Sequence, residues 1–209
     1  MNGHSCPSWF LDTMRALVAP GNYLSKPYHI FWGIYAFAPW VYHNRHRYTF
    51  PVVKTFFEAF RRDEGSTLPV GVAGFCWGGK HTLLLTHQEN YLNLDGTPKP
   101  MLDAAFTGHP SSVNIPEDFE KMTVPTSFAI PEKDHHIKAP KDTDLLIGVM
   151  ARKPEKQKGE VKVYSGCAHG FCVRGDVFGL AGDDSKQASE AEDQAITWFN
   201  SKLGIEPVS

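Results

Sequence analysis

One segment constrains the fold more than any other: VGVAGFCWGGKHTLLLTH, Val70 to His87. The apolar run PVGVAGF reads as a short buried strand, and GGKHTLLLTHQ reads as a helix. Only Cys76 and Trp77 separate them. A strand that passes into a helix over two residues must turn sharply, and the glycines at 74, 78 and 79 keep side chains out of that turn. The chain downstream repeats the alternation. LDAAFTGH, VPTSFAIPEKD and GEVKVYSGCAHGF each open as strands, and helices are expected in KAPKDTDLLIGVMARKP and in DSKQASEAEDQAITWFNSKLG, the last closed by Gly204. Strands separated by helices predict a mostly parallel sheet flanked by helices, an α/β fold.

Upstream, SWFLDTMRALVA reads as a helix with Ser8 in capping position. The aromatic, Gly- and Pro-rich stretch from Pro20 to Tyr48 has poor periodicity and is expected to be a long, mostly irregular covering segment with at most one short helical turn, with Trp32 and Trp40 in a core or lid. FPVVKTFFEAFRRDEGS is a clearer helix, with Val53, Phe56, Phe57 and Phe60 on one face.

The 209 residues with formal charge −2 suit a single α/β domain over 1–209. There is no sustained Lys/Arg block to recognise nucleic acid, and no apolar run of membrane-spanning length. The opening MNGHSCPSWF lacks the basic segment and apolar core of a secretory leader. A reduced, cytoplasmic chain is therefore expected, with Cys6, Cys76, Cys167 and Cys172 as thiols.

In parallel sheets chemistry gathers at the carboxyl ends of the strands. Three such ends carry Cys76, Asp134 and His169. Gly74-Phe75-Cys76-Trp77-Gly78 is the thiol form of a nucleophile elbow. A helix starting there points backbone N–H groups at the sulfur, favouring a thiolate, and Trp77 N–H is the expected oxyanion donor. A thiol needs a base and the base an orienter. The order Cys76, Asp134, His169 is the nucleophile, acid, histidine order of α/β-hydrolases. His109, at another strand end, is expected to line the substrate pocket, and Arg174 to hold a carboxylate on the substrate. His135 and His136 adjoin Asp134, but adjacent residues on a loop seldom reach one metal ion. A Cys167/Cys172 zinc or redox pair lacks a second pair and would consume the base. No metal or cofactor is expected.

GFCWGG, KDHHI and CAHGF with Arg174 resemble the dienelactone hydrolase family of the α/β-hydrolase superfamily, and MNGHSCP resembles the stretch after an early strand in fungal members. The resemblance implies a three-layer α/β-hydrolase fold. It implies Cys76 as nucleophile, His169 as base and Asp134 as orienter, opening a small-molecule ester or lactone through an acyl-cysteine without metal or cofactor. Family members carry further strands ahead of this stretch, with a second oxyanion N–H and a glutamate that helps activate the thiol. The chain is therefore expected to be an N-terminally truncated member, with VGVAGF as an apolar sheet edge open to self-association. That expectation sustains a second reading, a catalytically impaired relative acting as a binding or regulatory module. Thiol-based acyl transfer to an alcohol or amine is a third.

Overall fold

The computed structural model describes residues 7–21, 23–94, 96–174 and 185–205. They fall in two compact units, 1–52 and 53–209.

In the first unit, α1 (Phe10–Val18) packs on α2 (Lys26–His43). The aromatic stretch is thus helical rather than irregular. Apolar residues occupy its whole circumference, which erases the periodic signal. Pro27 sits in the first turn, where no N–H bond is lost, but Pro39 lies inside the helix. Rings join the two helices: Phe10 stacks on Phe37 at 5.5 Å and Trp9 meets Trp32 edge-on at 5.9 Å. Trp40 stacks on Phe37. Helix α3 (His46–Arg62) belongs in part to each unit; it starts four residues before the expected Phe50, and Phe56 on its expected inward face is exposed.

The second unit is built on four parallel strands in the order β1 (Gly71–Phe75), β4 (Ala104–Gly108), β5 (Thr126–Lys133), β6 (Glu160–Ala168). Between β1 and β4 come α4 (Trp77–Leu85) and a small antiparallel hairpin, β2 (Leu92–Leu94) with β3 (Thr97–Lys99). Helix α5 (Glu117–Glu120) precedes β5, and α6 (Lys141–Arg152) precedes β6. Helices α7 (Phe171–Arg174) and α8 (Ser185–Leu203) follow. Among the described residues β1 is paired on one side only, to β4.

Each face of the sheet buries its own core, giving three layers. On one face, Leu83 of α4, Phe119 of α5 and Leu146, Val149 and Met150 of α6 enclose Phe128 and Ile130 of β5. On the other, Phe106, Ala129 and Tyr164 pack with Phe171 of α7 and Ala191 of α8. Phe128 and Ile130 face one way and Ala129 the other, the period-two alternation of a strand covered on both sides. A buried ion pair, Lys80 of α4 with Asp118 of α5, ties the helix after the elbow to its neighbour. His81 of α4 and His87 just beyond it are buried, and His87 Nε2 donates to the Asp118 carbonyl at 2.9 Å.

Because all four strands run the same way, their carboxyl ends share one edge, and register decides which residues emerge there. Phe75 pairs with Gly108, so Cys76 and His109 leave the sheet side by side. Lys133 pairs with Ala168, so Asp134 and His169 do the same. The second pairing exists only because β6 takes two extra residues between Tyr164, opposite Pro131, and Ala168. Gly166, at φ 79°, sits in this bulge, and Glu132 accepts its N–H at 2.8 Å.

Candidate active site

The elbow has the sharp turn that the sequence predicts. Cys76 adopts φ 51°, ψ −120°, and α4 begins at the next residue. A non-glycine residue held there is strained, and such strain persists only where the surroundings fix it. Two of the three glycines are sterically required. A Cβ on Gly74 would lie 2.1 Å from Thr82 Oγ1 and 2.7 Å from the Gly78 carbonyl, and one on Gly79 would meet Thr107 Oγ1 at 2.5 Å. A Cβ on Gly78 meets nothing within 4 Å, so the second glycine of the G-x-C-x-G pattern is not needed for space.

The fold brings Cys76, His169 and Asp134 together. His169 Nε2 lies 3.2 Å from Cys76 Sγ, while Nδ1 lies 3.0 and 3.2 Å from the two Asp134 oxygens. Gly170, at φ 102°, turns the chain directly after the imidazole. The Asp134 carboxylate has no solvent exposure and also accepts the His136 backbone N–H at 2.9 Å.

These contacts shift all three groups. Burial raises the Cys76 pKa, but the His169 hydrogen bond and charge, the Ser111 hydroxyl and the Trp77 N–H outweigh it, and the thiol ends below its ordinary value. Burial disfavours a charged His169, yet the hydrogen bonds and charges of Asp134 and Cys76 push it up to about 9. Burial also opposes the Asp134 carboxylate, and the His169 and His136 contacts hold its pKa below the ordinary one. The set favours a thiolate–imidazolium pair braced by a carboxylate.

The remaining candidates fall as follows. The Trp77 backbone N–H acts on the Cys76 sulfur and helps to lower its pKa. His109 has no exposed surface, and its ring lies 4.9 Å from that of His169. Arg174 ends α7, and its side chain lies outside the described residues, as does Cys6. His135 is largely exposed with its ring 5.4 Å from His169. Burial and the positive charges of His135 and His169 lower the His136 pKa. Cys76, Cys167 and Cys172 are free thiols, and among the described residues no group of three His, Cys, Asp or Glu could hold a metal. Sequence reasoning missed Ser111, whose Oγ lies 3.8 Å from Cys76 Sγ. No local signal marks it: GHPSS reads as an ordinary turn, and only the pairing of β4 with β1 brings it to the elbow.

The sequence profile of the dienelactone hydrolase family matches residues 52–203. The chain belongs to the dienelactone hydrolase family. Similar curated proteins include Hydrolase tropI of Talaromyces stipitatus, 30% identical over 134 residues, covering 63% of this chain and 45% of the relative. Hydrolase pyvD of Aspergillus violaceofuscus is 25% identical over 134 residues, covering 64% and 48%. The chain thus spans about half the length of the curated relatives it matches. Among solved structures, a candidate dienelactone hydrolase from Klebsiella pneumoniae superposes with TM-score 0.54 at 19% identity, over 72% of this chain and 59% of the other. A carboxylesterase from Lactobacillus plantarum gives 0.53 at 14% identity, over 75% and 68%. At such identities the superpositions speak to fold, and they agree with the three-layer α/β-hydrolase architecture of this dienelactone hydrolase family member. Among the described residues no helix is long and apolar enough to cross a membrane.

Proposed function

We propose that the unit 53–209 is a thiol hydrolase of carboxylic esters or lactones, with Cys76 as nucleophile, His169 as general base and acid, and Asp134 as orienter. One observation carries the reading: a single imidazole touches the elbow sulfur with one nitrogen and a buried carboxylate with the other. Membership of a hydrolase family and the hydrolase relatives support it.

In this mechanism the proton of the thiol resides on His169 Nε2, and the thiolate attacks the substrate carbonyl carbon. The carbonyl oxygen gains negative charge beside Trp77 N–H. Collapse breaks the C–O bond, His169 returns its proton to the departing alkoxide, and an acyl-cysteine remains. From a lactone the alcohol stays tethered to the acyl group. His169 then takes a proton from water, hydroxide adds to the thioester, and the Cys76 thiolate leaves with release of the acid. Thiolates are good leaving groups, so activated esters and lactones suit this centre better than amides.

The test is turnover of p-nitrophenyl acetate and of a simple aromatic lactone by the full chain, with mass spectrometry of acid-quenched samples. The expected result is one acetyl group on the peptide containing Cys76 and no turnover by Cys76→Ala. Turnover that survives Cys76→Ala overturns the assignment. Alkylation of Cys76 no faster than a free thiol, with no turnover, supports the non-catalytic alternative instead.

A further inference from the structure

The end of β4 and the turn after it meet all three polar groups of Cys76: its N–H, its carbonyl and its sulfur. Cys76 N–H is shared between the Gly108 carbonyl and His109 Nδ1, each at 3.2 Å. The Cys76 carbonyl accepts the Ser111 N–H at 3.0 Å, and Ser111 Oγ reaches the sulfur at 3.8 Å. Pro110 lies against Gly79, where an added Cβ would come within 2.7 Å of it. The turn is itself held in place, since His109 N–H donates to the Ala129 carbonyl of β5 at 2.9 Å. Like Cys76, His109 sits in the left-handed region, at φ 39°, and it is fully buried.

We propose that His109 and Ser111 are positioning residues that clasp the elbow, holding the Cys76 backbone in its strained conformation and its sulfur against His169. The proposal rests on the reading of Cys76 as nucleophile and gives His109 a task other than contacting substrate. The chemistry requires His109 to present a lone pair at Nδ1, because a backbone N–H can only donate. Ser111 contributes twice, through its N–H to the Cys76 carbonyl and through its hydroxyl to the sulfur. Losing the clasp lets the elbow relax toward ordinary backbone angles, which swings the sulfur away from Nε2 and from Trp77 N–H.

Asparagine separates positioning from mere filling. It carries an acceptor as many bonds from the backbone as Nδ1 and tolerates positive φ, whereas leucine has similar bulk and no acceptor. The measurement is the pH dependence of iodoacetamide alkylation at Cys76, with kcat and KM for p-nitrophenyl acetate and the melting temperature alongside. In His109→Leu the alkylation midpoint is expected to move to higher pH and kcat to fall ~5-fold or more, the worth of one hydrogen bond of ~1 kcal/mol. KM for this small ester stays within about twofold, because no substrate contact is removed. His109→Asn recovers most of both rates. Ser111→Ala keeps the backbone bond and loses the hydroxyl, so its midpoint also rises, by less. Midpoints equal to wild type in both His109→Leu and Ser111→Ala overturn the clasp, as does an Asn variant impaired as much as Leu at equal melting temperature. If His109→Leu fails to fold, Ser111→Ala and His109→Asn decide alone. Because alkylation reports on the sulfur directly, these outcomes stay readable even where Cys76→Ala leaves turnover intact and the hydrolase assignment fails.

Discussion

Replacing Asp134 by Asn is the most searching perturbation of this centre, because it changes two atoms' chemistry and almost no volume. In the native site both carboxylate oxygens face His169 Nδ1, and Oδ1 also accepts the His136 N–H. An asparagine has one acceptor for these two donors. If its oxygen stays on the His136 N–H, its NH₂ faces Nδ1 at about the 3.0 Å now spanned by the carboxylate. The imidazole then has to accept at Nδ1 and carry its proton on Nε2, the wrong tautomer to take a proton from sulfur. His169 now stands at about 9 against an ordinary 6.5, a preference for the charged form worth ~3 kcal/mol. Asp134 supplies the larger share of that preference and burial opposes it. His169 in the variant is therefore expected to titrate well below 9, with less imidazolium and more protonated Cys76 at pH 7.5. A wrong-tautomer triad loses ~10⁴ in kcat in the serine-protease case, and a loss of ~10³ or more is expected here, with alkylation of Cys76 slowed in parallel. Histidine Cε1 proton NMR reads the titration, ester turnover reads kcat, and far-UV circular dichroism verifies the fold. A variant that stays folded, with His169 still titrating near 9 and Cys76 alkylated at the native rate, refutes the reasoning.

Other outcomes follow from the same geometry. His169→Ala removes the strongest contact favouring the thiolate and leaves burial opposing it, so the alkylation midpoint of Cys76 is expected to rise, and native rates near neutral pH would contradict the pairing. In the native chain a substoichiometric alkylating reagent at pH 7 should modify Cys76 in preference to Cys167 and Cys172, because burial and Cys167 push Cys172 up to about 12 and Cys167 is fully buried; peptide mapping reads this. Gly74→Ala is expected to cost ~2 kcal/mol or more because its Cβ strikes the Gly78 backbone, while Gly78→Ala, facing open space in a helix, should be neutral or stabilising by ~0.5–1 kcal/mol; urea unfolding separates them. Lys80→Met strands a buried Asp118 carboxylate and should cost ~3–5 kcal/mol, lowering the melting temperature by ~6–20 °C in calorimetry.

Much of the candidate site is legible because its parts are local. Glycines around Cys76, a strand before it and a helix after it are all written within a few residues, and Asp134 and His169 each follow a recognisable strand. Ser111 and the role of His109 are not legible, since GHPSS looks like an ordinary turn until it is known which strand β4 lies beside. The aromatic helix α2 is hidden for a different reason: with apolar side chains on all sides it has no period, and Pro39 argues against it locally. The elements α5, α7 and the β2–β3 hairpin, whose helices and strands are three or four residues long, are too short to show a period.

The sequence by itself determines the alternation of strand and helix, hence a parallel sheet covered on both faces, and the chemical identity of the sulfur, imidazole and carboxylate. Those follow from spacing and residue type within single elements. Only the tertiary structure decides that β4 lies beside β1 and that β6 gains two residues on β5, so that Lys133 pairs with Ala168 and Phe75 with Gly108. Pairing between strands distant in sequence is settled by backbone hydrogen bonds and by which side chains fill the two cores. It is this pairing that sets an imidazole 3.2 Å from a sulfur ninety-three positions away.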